Sequence, residues 1–215
     1  MILEARAVGP FFKIGFVVGC ERTREAVVID PGDEADQLIA LIQQHQLTVT
    51  HILLTHAHFE HVSGVTETKD AFKAPIYLHR DDLPLYQLAV QQGQLFGVEI
   101  AQPPDVDAFY GSDPVTFGDH AVRVHHTPGH CPGGVCLQLD NHLFVGDTLF
   151  AGGIGRTDLP GGSYDVLMRS ITEVLFALGD DSVVHPGHGA DTTIGRERRT
   201  NPFVLEYLAS TQRLR

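Results

Sequence analysis

Apolar residues along this chain recur in two periods. Near-continuous or alternating apolar runs over residues 11–20, 25–30 and 49–54 have the pattern of strands, and Pro31-Gly32 is a turn that stops the second of them. A helix is predicted next: Asp33 is placed to cap it, and Leu38, Leu41 and Ile42 fall at the three-and-four spacing of a face turned toward a sheet. A second helix is predicted from near His61, a short strand over 75–78, and helical structure within 82–92. Pro84, Gly93, Gly97, Pro103 and Pro104 punctuate the rest of 80–110 and predict long connections, which often shape a pocket.

The second half starts again with strands, at 121–125, 135–139 and 142–145. A glycine-rich loop over 152–162 then leads to a helix with Ser163 at its cap and Leu167, Ile171, Val174, Leu175 and Leu178 on one face, followed by a strand at 182–185. Strands, then helix and strand, occurring twice, predict two similar halves with helices outside. A length of 215 residues suits one α/β domain, so 1–215 is taken as a single domain.

Composition adds limits. Apolar residues make up 43% and charged residues 20%, the balance of a globular chain. The formal charge of -12, with basic residues scattered apart from Arg196, Arg198 and Arg199, argues against nucleic acid, because neutralising phosphates needs a basic face. Glu4, Arg6 and Lys13 interrupt the apolar N-terminal stretch, and no other window approaches a membrane span, so a cytoplasmic protein without membrane attachment is expected. Cys20, Cys131 and Cys136 are odd in number and lack zinc-ribbon spacing, which predicts neither a disulfide framework nor a structural zinc.

The chemistry is concentrated at strand ends. Four metal-capable motifs each follow an apolar run: Thr55-His56-Ala57-His58-Phe59-Glu60-His61, Thr127-Pro128-Gly129-His130, Gly146-Asp147-Thr148 and Pro186-Gly187-His188-Gly189. Ligand sites of α/β sheets lie beyond the carboxyl ends of strands, and neutral imidazole with carboxylate binds the cations of catalytic sites. His56 and His58, two apart in extended chain, point the same way, while Glu60 and His61 enter a helix and face a neighbouring position. Two adjacent metals suit this better than one. One histidine alone carries little weight; His56, His58, Glu60, His61, His130, Asp147 and His188 together carry a great deal. The other histidines sit in strands or turns and are not assigned as ligands, although His185 is placed to orient a neighbour.

With these motifs the chain resembles the metallo-β-lactamase superfamily over almost its whole length. It is most similar to the small glyoxalase II-like bacterial hydrolases, through Asp30-Pro-Gly-Asp33, Thr127-Pro-Gly-His130, Gly153-Ile-Gly-Arg-Thr-Asp158 and Asn201-Pro-Phe203. The resemblance implies an αββα sandwich, with two mixed sheets packed face to face and helices outside. It also implies His56, His58 and His130 on one metal, Glu60, His61 and His188 on a second, and Asp147 bridging the two. Where the family's loop has aspartate this chain has Glu60, whose extra methylene moves the carboxylate by about 1.5 Å.

The activity so implied is that of a binuclear hydrolase with two divalent ions, zinc first, iron or manganese otherwise. A water acidified by the metals would attack a small-molecule thioester, with Asp147 and Glu60 holding it in place. Arg156, Phe59 and Arg196 are the substrate-side candidates, Arg156 also being placed to pair with Asp158. Two other readings stay open: a mono-iron persulfide dioxygenase using His56, His130 and Asp147, and a metal-stabilised binding protein with little catalysis.

Overall fold

The computed structural model describes residues 1–213, whose contacts divide between Arg123 and Val124 into two units. In the first unit β1 (Ile2–Val8), β2 (Lys13–Gly19) and β3 (Glu25–Ile29) are antiparallel neighbours. β2 and β3 are almost wholly buried, as their near-continuous apolar runs require. Helix α1 (Ala35–Gln44) buries Leu38, Leu41 and Ile42, the predicted face. Its cap position is Glu34, in left-handed backbone, rather than Asp33; the Asp33 carboxylate accepts the Glu34 N–H instead (2.9 Å). β4 (Thr48–Leu53) joins β3 in parallel and delivers the chain to the histidine loop.

That loop closes in α2 (Phe59–Val62), which starts two residues before His61, and the chain breaks at Gly64 before α3 (Val65–Phe72). Position 64 needs glycine, since a Cβ there would stand 1.9 Å from the Gly32 carbonyl. β5 (Ile76–Leu78) extends the sheet in parallel. The helical stretch expected over 82–92 is divided at Leu88 into α4 (Leu83–Gln87), with proline in its first turn, and α5 (Ala89–Leu95). β6 (Ala108–Phe109) completes the sheet in the order β1-β2-β3-β4-β5-β6, and β7 (Val115–Phe117) pairs with β8 (His120–His126). The core of this unit lies between α1, α3 and the parallel strands, with Ile52, Leu54, Val62, Val65 and Ile76 at its centre.

The second unit carries β9 (Val135–Leu139), β10 (His142–Gly146), and a small hairpin, β11 (Leu149–Phe150) with β12 (Gly153–Ile154), where a bare glycine loop was expected. Ser163 is the N-cap of α6 (Tyr164–Arg169) by position, without a side-chain hydrogen bond. The predicted apolar face continues beyond α6 only by changing pitch, through a π turn at Ser170–Val174 and a 3-10 turn at Leu175–Leu178. β13 (Val183–Pro186) and β14 (Thr192–Thr193) follow, then α7 (Ile194–Thr200) and α8 (Pro202–Arg213). The strands run β14-β13-β10-β9-β8, parallel at β10/β13 and antiparallel at β9/β10 and β13/β14. Both sheets are therefore mixed, in an α/β protein, as expected. Cys20, Cys131 and Cys136 are buried and form no disulfide, and no helix among the described residues is long and apolar enough to cross a membrane.

Candidate metal centre

The first half of the ligand set is built where β4 runs out. After a bend at Thr55 the chain reaches His58 in extended backbone, and the rings of His56 and His58 stand with their centroids 4.9 Å apart. The turn into α2 brings His61 back over the same point, 3.9 Å from the His56 ring. All three imidazoles are buried.

Asp30, the residue after β3, organises them. Its carboxylate accepts the Thr55 backbone N–H (2.7 Å), the Thr55 hydroxyl (2.5 Å) and His61 Nδ1 (2.9 Å). Asp30, His56 and His61 all bring a ligand-capable atom within 4.8 Å of one another. Burial pushes the Asp30 carboxyl up, but the Lys13 ammonium, His61 and the hydrogen bonds from His61 and Thr55 outweigh it and hold it below the usual carboxylate range. Lys13 Nζ, itself buried, donates to the Asp30 carbonyl. The buried Asp82 carboxylate holds the loop from the other side, accepting the Ala57 N–H at 2.9 Å.

These bonds set the ring tautomers. An ionised Asp30 only accepts, so His61 must carry its proton on Nδ1. The Thr55 hydroxyl spends its one proton on Asp30 and so accepts from His56 Nδ1 at 3.1 Å. Both rings therefore offer the Nε2 lone pair to a cation, the orientation that a carboxylate behind a metal-bound histidine produces.

In the second unit the parallel pairing of β10 and β13 sets Gly146 against Pro186, with the Gly187 N–H donating to the Gly146 carbonyl (2.8 Å). Asp147 and His188 follow directly at those adjacent strand ends. His130 arrives on the turn after β8, where Gly129 takes φ 129° and any Cβ would stand 2.2 Å from the Leu167 nitrogen. Asp147 Oδ2 lies 3.7 Å from His130 Nε2 and 3.6 Å from His188 Nε2. Two ligands of one tetrahedral zinc, each bonded at about 2.0–2.1 Å, stand about 3.3 Å apart, so this carboxylate is spaced to share a cation with either imidazole. His130 Nδ1 donates to the Arg156 carbonyl (2.8 Å), which again leaves Nε2 as the coordinating atom. Gly155 makes this close approach possible, since a Cβ there would be 1.8 Å from the Asp147 carbonyl oxygen. The donor chemistry and tautomers of both halves fit divalent cations of the zinc or iron type.

The remaining candidates divide. Glu60 is half-buried in the first turn of α2 and, with Phe59, lines a cleft in the first unit. Phe59 is buried against two other phenylalanines. Arg156 forms a two-pronged pair with Asp158 (2.7 and 2.8 Å), which draws the Asp158 carboxyl down to about 2. Arg196 is exposed on α7, its Nε 4.0 Å from Glu197, whereas Arg198 and Arg199 reach Asp180 at 3.0 and 3.3 Å. Glu197 is wholly buried; it accepts the Gly152 N–H (2.8 Å), the Thr192 hydroxyl (2.5 Å) and the Asn201 amide (2.9 Å). His185 bonds Asp191 through Nδ1 (3.0 Å) and His142 through Nε2 (2.9 Å), and so closes the loop that carries His188.

Sequence reasoning passed over Asp30, Thr55, Lys13 and Asp82 as working residues. The signal for Asp30 was an acid ending a buried strand just before a Pro-Gly turn, where a carboxylate needs a partner.

A model of the metallo-beta-lactamase superfamily matches residues 14–188. A hydroxyacylglutathione hydrolase of Haemophilus influenzae is 38% identical over 191 residues, covering 84% of this chain and 88% of its own. Among solved structures, the BLEG-1 B3 metallo-beta-lactamase superposes with a TM-score of 0.88 at 37% identity, over 94% of this chain and 99% of the other. TTHA1623, solved in a di-iron-bound form, superposes at 0.86 with 40% identity, over 93% and 99%.

Proposed function

The chain belongs to the metallo-beta-lactamase superfamily, and we propose that within it this protein is a binuclear metal-dependent hydrolase of small thioesters, close in chemistry to hydroxyacylglutathione hydrolase. The observation that carries this reading is the fixed tautomer of His56, His61 and His130, each with Nδ1 committed to a hydrogen bond and Nε2 turned to coordination. His56, His58 and His130 would hold one ion, and Glu60, His61 and His188 the other, with Asp147 shared. On this reading 1–215 works as a single domain. Zinc suits these donors; the di-iron form of TTHA1623 makes iron the alternative.

When bound, two divalent ions supply Lewis acidity and a water acidified toward neutrality. Asp147 and Glu60, as acceptors, orient the attacking oxygen. Asp30 keeps His61 in the coordinating tautomer, and through the Thr55 hydroxyl it does the same for His56. A thiol leaving group, with a pKa of about 8.5, departs without a dedicated acid, which suits a site where none of these residues is placed as one. Arg196, exposed on α7, is the candidate to meet a substrate carboxylate, and Phe59 and Arg156 are the others on the substrate side. The charge of -12 favours a small substrate over a polyanion.

The test is metal analysis of protein purified without added metal, together with a panel of thioesters and persulfides. We expect thioester hydrolysis without oxygen uptake, abolished in His58→Ala while the fold persists. Iron with persulfide-dependent oxygen consumption, and no thioester turnover, would overturn the proposal in favour of a dioxygenase.

A further inference from the structure

β1 stands at the edge of the first sheet, and the alternation of hydrogen bonds along an antiparallel ladder decides which of its backbone groups face outward. The Cys20 N–H donates to the Glu25 carbonyl (2.8 Å), so Cys20, Val18 and Phe16 bond toward β3, and Gly19, Val17 and Gly15 bond toward β1. The register pairs these last three with Ile2, Glu4 and Arg6. Leu3, Ala5 and Ala7 therefore turn both N–H and C=O away from β2. Among the described residues no other strand pairs with β1, and the Ala5 carbonyl is covered on that side by a side chain, Arg6 Nη1 at 2.7 Å. Ala5 and Ala7 are exposed.

An open strand edge is a template for another strand, and the sequence of β1 selects which. Glu4 and Arg6 flank Ala5 on one face of the strand, 3.7 Å apart, and Glu4 also reaches His45 at the end of α1 (3.0 Å). With Ala5 set opposite Ala5 of an antiparallel second copy, Leu3 of each copy faces Ala7 of the other. Each of these outward pairs exchanges two backbone bonds, and Glu4 of each copy faces Arg6 of the other. Sliding one copy by two residues in either direction keeps outward groups together but sets Glu4 against Glu4 or Arg6 against Arg6, which destabilises the pair. A slide of one residue sets outward groups against inward ones. The edge is thus complementary to itself, in charge and in hydrogen bonds, at a single register.

We propose that β1 is a homodimerisation strand: two copies join edge to edge about a two-fold axis through Ala5, and the first sheet runs on from one copy into the other. In the free chain Arg6 covers the Ala5 carbonyl. In the pair it releases that oxygen to the Ala5 N–H of the second copy and moves to that copy's Glu4. One strand edge lies at the small end of interfaces, below about 800 Å² per partner, so the association is weak and depends on concentration.

Sedimentation equilibrium from about 5 to 500 µM, in about 0.15 M salt to screen the net charge of -12, reads the association. The mass should climb from monomer toward dimer, and the Leu3, Ala5 and Ala7 amides should gain protection from hydrogen exchange in step with it. Glu4→Arg and, separately, Arg6→Glu place like charges in both symmetric pairs and should weaken the dimer about 10- to 30-fold. Mixing these two variants restores opposite charges in both pairs, so the mixture should associate as tightly as the parent, a recovery that no folding defect can mimic. Ala5→Pro deletes an outward N–H and none of the bonds to β2, so it should abolish the dimer and keep the far-UV spectrum of the parent. A parent that stays monomeric to about 500 µM would overturn the proposal. So would a parent dimer that either charge variant leaves at full strength, or a mixture of the two that associates no better than each alone.

Discussion

Asp30 offers the sharpest test of how the histidine loop is held. Replacing it with alanine leaves the Thr55 N–H, the Thr55 hydroxyl and His61 Nδ1–H without their acceptor, inside a wholly buried pocket that also holds the Lys13 ammonium. Each hydrogen bond to a charged group contributes about 1.5–3 kcal/mol, and such losses are not additive; stripping one partner from a buried charge pair costs about 3–5 kcal/mol. A loss of about 4 kcal/mol is therefore expected for Asp30→Ala, lowering Tm by about 8–16 °C at this chain length. Asp30→Asn separates structure from coordination. Its carbonyl still serves the Thr55 N–H, so about half the stability loss is expected. Its NH2, however, faces His61 Nδ1 and donates to it, which moves the ring proton to Nε2 and removes the lone pair a metal needs. Zinc affinity should fall about 10- to 100-fold in a protein that still folds, the usual effect of disturbing the group behind a metal-bound histidine. Urea unfolding of the metal-free variants, with zinc titrations against a competing chelator, reads both quantities. If Asp30→Asn binds zinc within twofold of the parent and Asp30→Ala unfolds at the parent's urea midpoint, the reasoning is wrong.

Two further outcomes follow from single positions. Gly129→Ala, at φ 129° with the Leu167 backbone 2.2 Å from the new Cβ, should cost more than about 3 kcal/mol, whereas Gly152→Ala, at φ 74° with open space around it, should cost about 1; equal losses by chemical denaturation would refute the steric argument. Burial holds the His185 imidazole below its ordinary pKa, against the opposing pull of Asp191. The unfolded chain therefore takes up that proton first, so stability should fall as pH drops below about 6.5, and His185→Gln should flatten the slope between neutral and mildly acidic buffer; an unchanged slope would count against it.

The elements were legible where one physical demand dominated. β2, β3, β9 and β10 read as near-continuous apolar runs because both their faces are covered, and α1 was visible from Leu38, Leu41 and Ile42. What failed was local. Asp33 has the chemistry of a cap, but the Asp30-Pro31-Gly32 turn is anchored to the His61 carbonyl through the Gly32 N–H (3.2 Å), and this shifts the helix start by one residue. The long apolar face after Ser163 hid a change of pitch, since Ile171 and Leu175, four apart, stay buried across it while the burial of Ser170 and Phe176 does not follow the predicted face. Coordinating residues were easier to find than the groups behind them. A histidine after a strand end declares itself, whereas Asp30 and Thr55 resemble any acid and hydroxyl until the fold brings them to a ring nitrogen.

The carboxylate of Glu197 ties the start of β14 and the end of α7, its near neighbours in sequence, to the tip of the β11–β12 hairpin, 45 residues earlier. Bonds to a charged acceptor are about twice as strong as neutral ones, so these segments loosen together or not at all. The amide proton of Gly152, on a bare outer turn that ought to exchange with solvent within moments, is thereby sealed until α7 itself comes away.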